Sequence, residues 1–96
     1  MQVIHKETIP SEDTEATIMF PEGAVILSAQ MQDGDIAIWF KFEENYKGAP
    51  VARNFKLVIT GEVLDTPYTG NLYYISTIQL LNPNEEVVHL YEVLKQ

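Results

Sequence analysis

The amino-acid sequence predicts an all-β domain, and three observations lead to that prediction. Apolar and polar residues alternate with a period of two along most of the chain. β-Branched and aromatic residues concentrate in short runs, and Gly, Pro, Asn and Asp separate these runs at near-regular intervals. We therefore expect a single domain over residues 1–96, with about seven short antiparallel strands in a sandwich or barrel-like sheet. A β-rich α+β fold is the alternative.

A β-hairpin centred on Asp33-Gly34 is the strongest local signal. Two strand-like runs, 24–32 and 35–44, flank this dipeptide. A two-residue type I′ turn needs positive φ at both central positions, which Asp and Gly tolerate. The turn fixes the register of the two strands. In that register Gln32 lies opposite Asp35, Met31 opposite Ile36, Gln30 opposite Ala37, Ala29 opposite Ile38, Ser28 opposite Trp39 and Leu27 opposite Phe40.

This register divides the hairpin into two faces, because directly opposed residues share a face. One face is apolar and is predicted to join the core. The other is half polar and presents an apolar patch around Ile26, Ala37 and Trp39. Exposed patches of this kind usually mark an interface, so we expect a homo-oligomer, either a dimer or a tetramer. The predicted core face consists of Val25, Leu27, Ala29, Met31, Ile36, Ile38, Phe40 and Phe42.

Five further runs are predicted as strands by the same criteria. The last run is also compatible with a helix over 85–95, because Val88, Tyr91 and Lys95 follow helical spacing. Alternation along that run favours the strand. The five predicted strands are 2–9, 15–20, 53–60 (with Phe55, Leu57 and Ile59 facing the core), 72–81 and 87–94.

The balance of charges restricts the possible ligands. The chain has 14 acidic and six basic residues, for a net charge of −8. Non-specific nucleic-acid binding depends on many Lys and Arg contacts to phosphates, so it is not expected here. A small anionic nucleotide with one or two phosphates needs only a few local donors, and it remains compatible with this composition.

The absence of cysteine excludes disulfides, zinc–thiolate sites and cysteine nucleophiles. Small secreted domains usually carry disulfides, so an intracellular setting is favoured. The N-terminal segment lacks the apolar region of a signal peptide. No apolar run approaches the ~20 residues that span a bilayer, so we expect no membrane association.

Catalytic constellations are sparse in this sequence. His5 and His89 are the only histidines, and neither belongs to a recognised catalytic signature. His5 and Glu7 share a strand face, but such spacing arises often by chance. We expect no enzyme activity, no metal and no cofactor. His89 is interpreted as a hydrogen-bonded core or edge histidine.

A set of polar and aromatic residues forms the candidate ligand-binding group. Arg53 is the sole arginine; it either pairs with a carboxylate or holds a phosphate bidentately. Trp39 is either a packing residue, an oligomer contact or a platform on which a base stacks. The full predicted group is Lys6, Gln30, Trp39, Arg53, Tyr74, Ser76, Thr77 and Gln79.

Most of the chain also resembles a widespread family of small tailed-phage proteins. One departure is Val88, where members of that family often carry Trp or Phe. The matching segments are Ile4-His5-Lys6, Pro21-Glu22-Gly23-Ala24, Ile26-Leu27-Ser28, Gln30-Met31-Gln32-Asp33-Gly34 with Trp39, Arg53-Asn54-Phe55, Thr60-Gly61, Gly70-Asn71, Tyr74-Ile75-Ser76-Thr77 with Gln79, and Val88-His89-Leu90-Tyr91-Glu92.

The resemblance implies a phage protein that acts in the cytoplasm of the host bacterium. Small oligomeric phage proteins of this type include anti-CBASS sponges, which bind the cyclic nucleotide signals of host defence without cleaving them. The resemblance therefore implies sequestration of a cyclic oligonucleotide such as cyclic GMP-AMP. The alternative is an acidic interaction module that binds a host or virion protein.

Overall fold

A computed structural model describes residues 1–62, 71–80 and 86–94. The described residues form seven β-strands, so the predicted all-β class is confirmed. Residues 87–93 are extended, and the helix considered there is wrong; residues 85 and 95 lie outside the described ranges. No helix in the described ranges is long and apolar enough to cross a membrane. The strands are β1 (Gln2–Pro10), β2 (Glu15–Phe20), β3 (Val25–Gln32), β4 (Asp35–Glu43), β5 (Val51–Ile59), β6 (Leu72–Gln79) and β7 (Val87–Val93).

The strands form two antiparallel sheets. The first sheet has the order β1-β4-β3, and the second has the order β2-β5-β7-β6. Edge strand β3 of the first sheet lies beside edge strand β6 of the second. The Ser76 hydroxyl donates to the Ala29 carbonyl across this junction, at 2.9 Å. The two sheets therefore meet along a β3–β6 seam.

The hairpin adopts the predicted turn. Asp33 and Gly34 have φ of 52° and 87°, and β3 pairs with β4 directly on either side of them. The register is as predicted for five consecutive pairs, from Gln32–Asp35 to Ser28–Trp39. The local turn chemistry thus determines the pairing over most of the hairpin.

The register then shifts at Leu27, where β3 carries a bulge. Ile26, rather than Leu27, lies opposite Phe40. A bulge adds one residue to one strand, so side chains beyond it exchange faces. The prediction that Val25 and Leu27 belong to the core is wrong: they are 47% and 46% exposed, and Ile26 packs against the core instead.

The apolar patch predicted on the second face of the hairpin is also wrong. Ile26 is turned toward the core by the bulge. Ala37 is fully buried on the central strand, between Thr8 of β1 and Gln30 of β3. Ile26 and Trp39 are both half-buried, but Ile26 packs against the core. The expected oligomer therefore needs a different surface.

Three phenylalanine rings join the two sheets. The Phe20 ring of β2 meets Phe40 of the first sheet at 4.8 Å between centroids, and Phe55 of the second at 5.8 Å. Such edge-on and tilted contacts add to the burial of apolar area. The core predicted on β5 is confirmed for Phe55 and Leu57. The other buried members of the cluster are Ile9, Ala24, Ala29, Ile36, Ile38, Ile78, Leu80, Val88 and Leu90.

The hairpin turn gives a direct test of this register. We expect Gly34→Ala to lower the free energy of unfolding by about 1–2 kcal/mol, because an L-residue is strained at positive φ. Space is not the cause, since a Cβ on Gly34 would meet nothing within 4 Å. Gly34→Asn is the matched control, and it should cost less because Asn tolerates this conformation. Urea denaturation measures both variants, and equal losses would contradict the assignment to backbone strain.

Candidate functional site

A cleft of about 460 Å³ opens at one end of the β3–β6 seam. Each of the two strands carries a bulge there, at Leu27 in β3 and at Ile75 in β6. Bulges bend a strand and increase its twist, and they often lie next to binding sites. Both bulges therefore lie beside the cleft, because Leu27 and Ile75 are among its lining residues.

The rim of the cleft is apolar. Five of the exposed large hydrophobic side chains in the described ranges line it, and Tyr73 and Tyr74 are 62% and 52% exposed. Clustered exposed apolar side chains are characteristic of ligand or partner binding. The five are Val25, Leu27, Tyr73, Tyr74 and Leu94.

An ion pair forms the floor of the cleft. Arg53 Nε donates to Glu92 Oε2 at 2.6 Å, and Arg53 Nη2 donates to Glu92 Oε1 at 2.7 Å. Arg53 Nη1 donates to the Ala24 carbonyl at 2.6 Å, and the guanidinium lies 5.2 Å from the centroid of the Phe20 ring. The Arg53 and Glu92 side chains are only 22% and 11% exposed, so the pair is largely removed from water.

This arrangement confirms the ion-pair interpretation of Arg53. The bidentate contact neutralises both charges within the cleft. Three of the five guanidinium N–H groups make these contacts, and the other two have no acceptor among the residues that the structure describes. The floor is thus polar but electrically balanced, and it supports hydrogen bonding more than the capture of an isolated anion.

A chain of hydrogen bonds crosses the outer face of the second sheet. The Tyr74 hydroxyl contacts Thr77 Oγ1 at 2.6 Å, and Thr77 Oγ1 contacts His89 Nδ1 at 3.0 Å. His89 Nε2 contacts Thr60 Oγ1 at 2.8 Å, and Thr60 donates to the Val87 carbonyl at 3.2 Å. In the neutral tautomer with a proton on Nε2, every donor has an acceptor. The interpretation of His89 as a hydrogen-bonded histidine is confirmed, but it lies on the central strand β7 and not at a sheet edge. The same chain of hydrogen bonds fixes the Tyr74 hydroxyl.

The structure divides the predicted ligand-binding residues among several places. Arg53 and Tyr74 both line the cleft, and Thr77 contacts Tyr74 on the outer face. Gln79 lies farther along that face, opposite Val87. Ser76 points the other way and bonds across the seam. Only two members of the predicted group therefore share one concave site.

The other three predicted residues lie on the outer face of the first sheet. Lys6 is the direct neighbour of Trp39, and its ammonium contacts the Gln32 side-chain oxygen. Gln30 lies one row away, beside Ala37. This group is separate from the cleft, so a single site containing all eight predicted residues is not formed.

Sequence reasoning did not select Glu92, Tyr73, Leu27 or Leu94. One signal was available: Glu92 occupies the same strand face as Val88 and Leu90, where an apolar residue is expected. An acid at such a position usually has a buried partner. The outward position of Leu27 depends on the β3 bulge, which no feature of the alternation indicated.

A family comparison establishes where this chain belongs. The family model described as "Domain of unknown function (DUF7352)" matches residues 1–96. The chain belongs to this family. No curated protein and no solved structure matches it. The DUF7352 description supplies no activity, and the geometry of the cleft is the basis for a functional proposal.

The floor of the cleft predicts an asymmetric response to mutation. We expect Arg53→Ala to lower the free energy of unfolding by about 2–3 kcal/mol, because the largely buried Glu92 carboxylate loses its partner. The double variant Arg53→Met/Glu92→Leu should lose less, since it removes both charges. Urea denaturation measures both, with Lys6→Ala as the exposed-cation control. A loss below about 0.5 kcal/mol for Arg53→Ala would contradict a stabilising role for the pair.

Proposed function

We propose that this protein is a non-enzymatic binding protein that sequesters a cyclic oligonucleotide in the β3–β6 cleft. One observation carries the proposal: two exposed tyrosines, Tyr73 and Tyr74, are among the residues that line a cleft whose floor has both a hydrogen-bond donor and an acceptor. Nucleobases offer flat faces for stacking and edges that both donate and accept. Sequestration works by mass action, because a bound signal is withheld from its effector and no bond is broken.

Recognition in this cleft would rest on the bases. Stacking of a base on Tyr73 or Tyr74 contributes about 1–3 kcal/mol. A base edge reaching the floor can accept from the two remaining N–H groups of Arg53 and donate to Glu92. Because Glu92 already neutralises Arg53, the phosphates of the ligand would remain near the solvent at the cleft mouth. This arrangement limits the electrostatic repulsion between the phosphates of the ligand and the protein, whose net charge is −8.

The biological setting belongs to the same proposal. The resemblance to small tailed-phage proteins supports a role against host defence, in the cytoplasm of an infected bacterium. A cyclic di- or trinucleotide such as cyclic GMP-AMP is the ligand class implied by that resemblance. Homo-oligomerisation, also expected from the sequence, would place more than one cleft in each particle.

A second candidate is a protein-interaction module. The observation that favours it is the number of exposed apolar side chains around the same cleft: Leu27, Leu94 and Val25 add to the two tyrosines. Exposed apolar rims of this kind fit a bulky side chain of a protein partner. The acidic surface would suit a basic host or virion protein.

Calorimetric titration with a panel of cyclic di- and trinucleotides tests the leading proposal. We expect Tyr73→Ala and Tyr74→Ala each to weaken binding about tenfold or more, because each removes a stacking surface. Both side chains are exposed, so the fold should change little. Tyr74→Phe retains the ring and loses only the hydroxyl, so it should bind nearly as the wild type does.

Ile4→Ala serves as a control, because Ile4 is exposed outside the cleft. It should leave the affinity unchanged, and melting temperatures would verify that all variants remain folded. Absence of wild-type binding to every nucleotide in the panel would reject sequestration. It would leave the interaction module as the better explanation of the cleft.

A further inference from the structure

Strand β1 leaves one long backbone edge without a partner in the described part of the chain. It is an edge strand of nine residues, and it pairs only with β4. The Glu44 N–H donates to the Met1 carbonyl at 2.9 Å. This bond shows which residues of β1 hydrogen-bond to the β4 side, because every second residue of an antiparallel strand does so. Odd-numbered residues therefore direct their N–H and C=O groups toward β4. Those of Ile4, Lys6 and Thr8 point toward the free edge.

The side chains of β1 are also unusually exposed for their position. His5 and Glu7 lie opposite Phe40 and Ile38, on the face that carries the core farther along the sheet. Both side chains are nevertheless exposed. Among the described strands, β4 is the one against which β1 makes extensive contacts. The His5 ring stands edge-on to Phe42, with centroids 4.9 Å apart. A basic and an acidic side chain thus lie two residues apart on one accessible strip.

We propose that β1 pairs antiparallel with β1 of a second copy, in a register centred on Lys6. A two-fold axis through Lys6 pairs the outward-pointing groups of Ile4 with those of Thr8 of the second copy. The same axis places the outer faces of the two sheets on one side of the joined sheet. The opposed side chains are then His5 with Glu7 and Val3 with Ile9, each pair occurring twice.

Alternative registers lack this complementarity. A centre on Ile4 places His5 opposite Val3, and a centre on Thr8 places Glu7 opposite Ile9. Both also shorten the overlap of the two strands. The other unpaired edge, β2, would place Glu15 opposite Met19 if it paired with itself. Of these registers, the Lys6-centred one places an imidazole opposite a carboxylate, a pair that can hydrogen-bond.

The two copies of Lys6 face each other at the centre of this interface, so two like charges lie close together there. The structure shows how each Lys6 side chain is directed. The Lys6 ammonium lies over the outer face of the sheet and contacts the Gln32 side-chain oxygen on β3. It is thus directed away from the free edge. The pairing would create a continuous six-stranded sheet, with β3 at both ends. Both clefts would stay open, so this interface is independent of the proposed ligand.

Engineered cysteines test the register, because the native chain has none. Lys6→Cys should form a disulfide-linked dimer under mild oxidation, since the two copies of residue 6 would have Cα atoms about 5.5 Å apart. Ile4→Cys alone and Thr8→Cys alone should not, because like residues would be roughly 13 Å apart along the strands. An equal mixture of the last two variants should form a mixed dimer.

Either of two results would overturn the proposal: no cross-linked Lys6→Cys dimer, or Ile4→Cys cross-linking as readily as Lys6→Cys. A charge exchange tests the side chains separately by sedimentation. His5→Glu should weaken dimerisation of the wild-type interface about tenfold, since two carboxylate pairs replace two complementary pairs. The double variant His5→Glu/Glu7→His should restore it. A wild-type monomer at micromolar concentration, or a double variant as weak as His5→Glu, would contradict the pairing.

Discussion

One additional residue in each of two strands marks the end of the β3–β6 seam at which the cleft lies. A continuous β3–β6 seam would let the two sheet edges approach each other along their whole length. The bulges at Leu27 and Ile75 interrupt both strands at the end where the cleft lies. They reverse the alternation of side chains, so Leu27 turns outward while Ile26 joins the core. The seam is bridged next to the bulges, where the Ser76 hydroxyl donates to the Ala29 carbonyl. The cleft and its apolar rim are thus two consequences of the same backbone irregularity.

The opening also explains the ion pair on the cleft floor. Without a covering strand, the inner positions of β5 and β7 lie close enough to solvent to accept charged residues, yet they remain largely buried. Arg53 and Glu92 meet this condition together, because each satisfies the other and Arg53 also bonds to the Ala24 carbonyl. Either residue alone would be a costly buried charge. The pair therefore forms a fixed polar surface on the floor of a cleft whose rim is apolar.

The features predicted correctly from the sequence are those that depend on residues close to one another along the chain. Asp33-Gly34 determines its turn through backbone conformation, and alternation near it locates Ile36, Ile38 and Ala29 in the core. The prediction fails at Leu27, because the bulge depends on how β3 meets the second sheet. Arg53 and Tyr74 were selected for their chemistry, but their common cleft depends on strand order, which the alternation does not encode. Glu92 is the intermediate case: its position among apolar residues indicated a buried partner, but could not identify Arg53.

The two edges of the first sheet differ in a way that separates their roles. An edge strand with a bulge is a poor template for another strand, because the spacing of its backbone groups is interrupted. β3 has such a bulge and borders the cleft. β1 pairs with β4 without a register shift over all nine residues, so its opposite edge keeps the regular spacing that strand addition requires. Its charged side chains prevent indiscriminate pairing, yet His5 and Glu7 are complementary in one self-paired register. Backbone regularity therefore favours the proposed strand pairing at β1, while the interrupted edge of β3 borders the cleft.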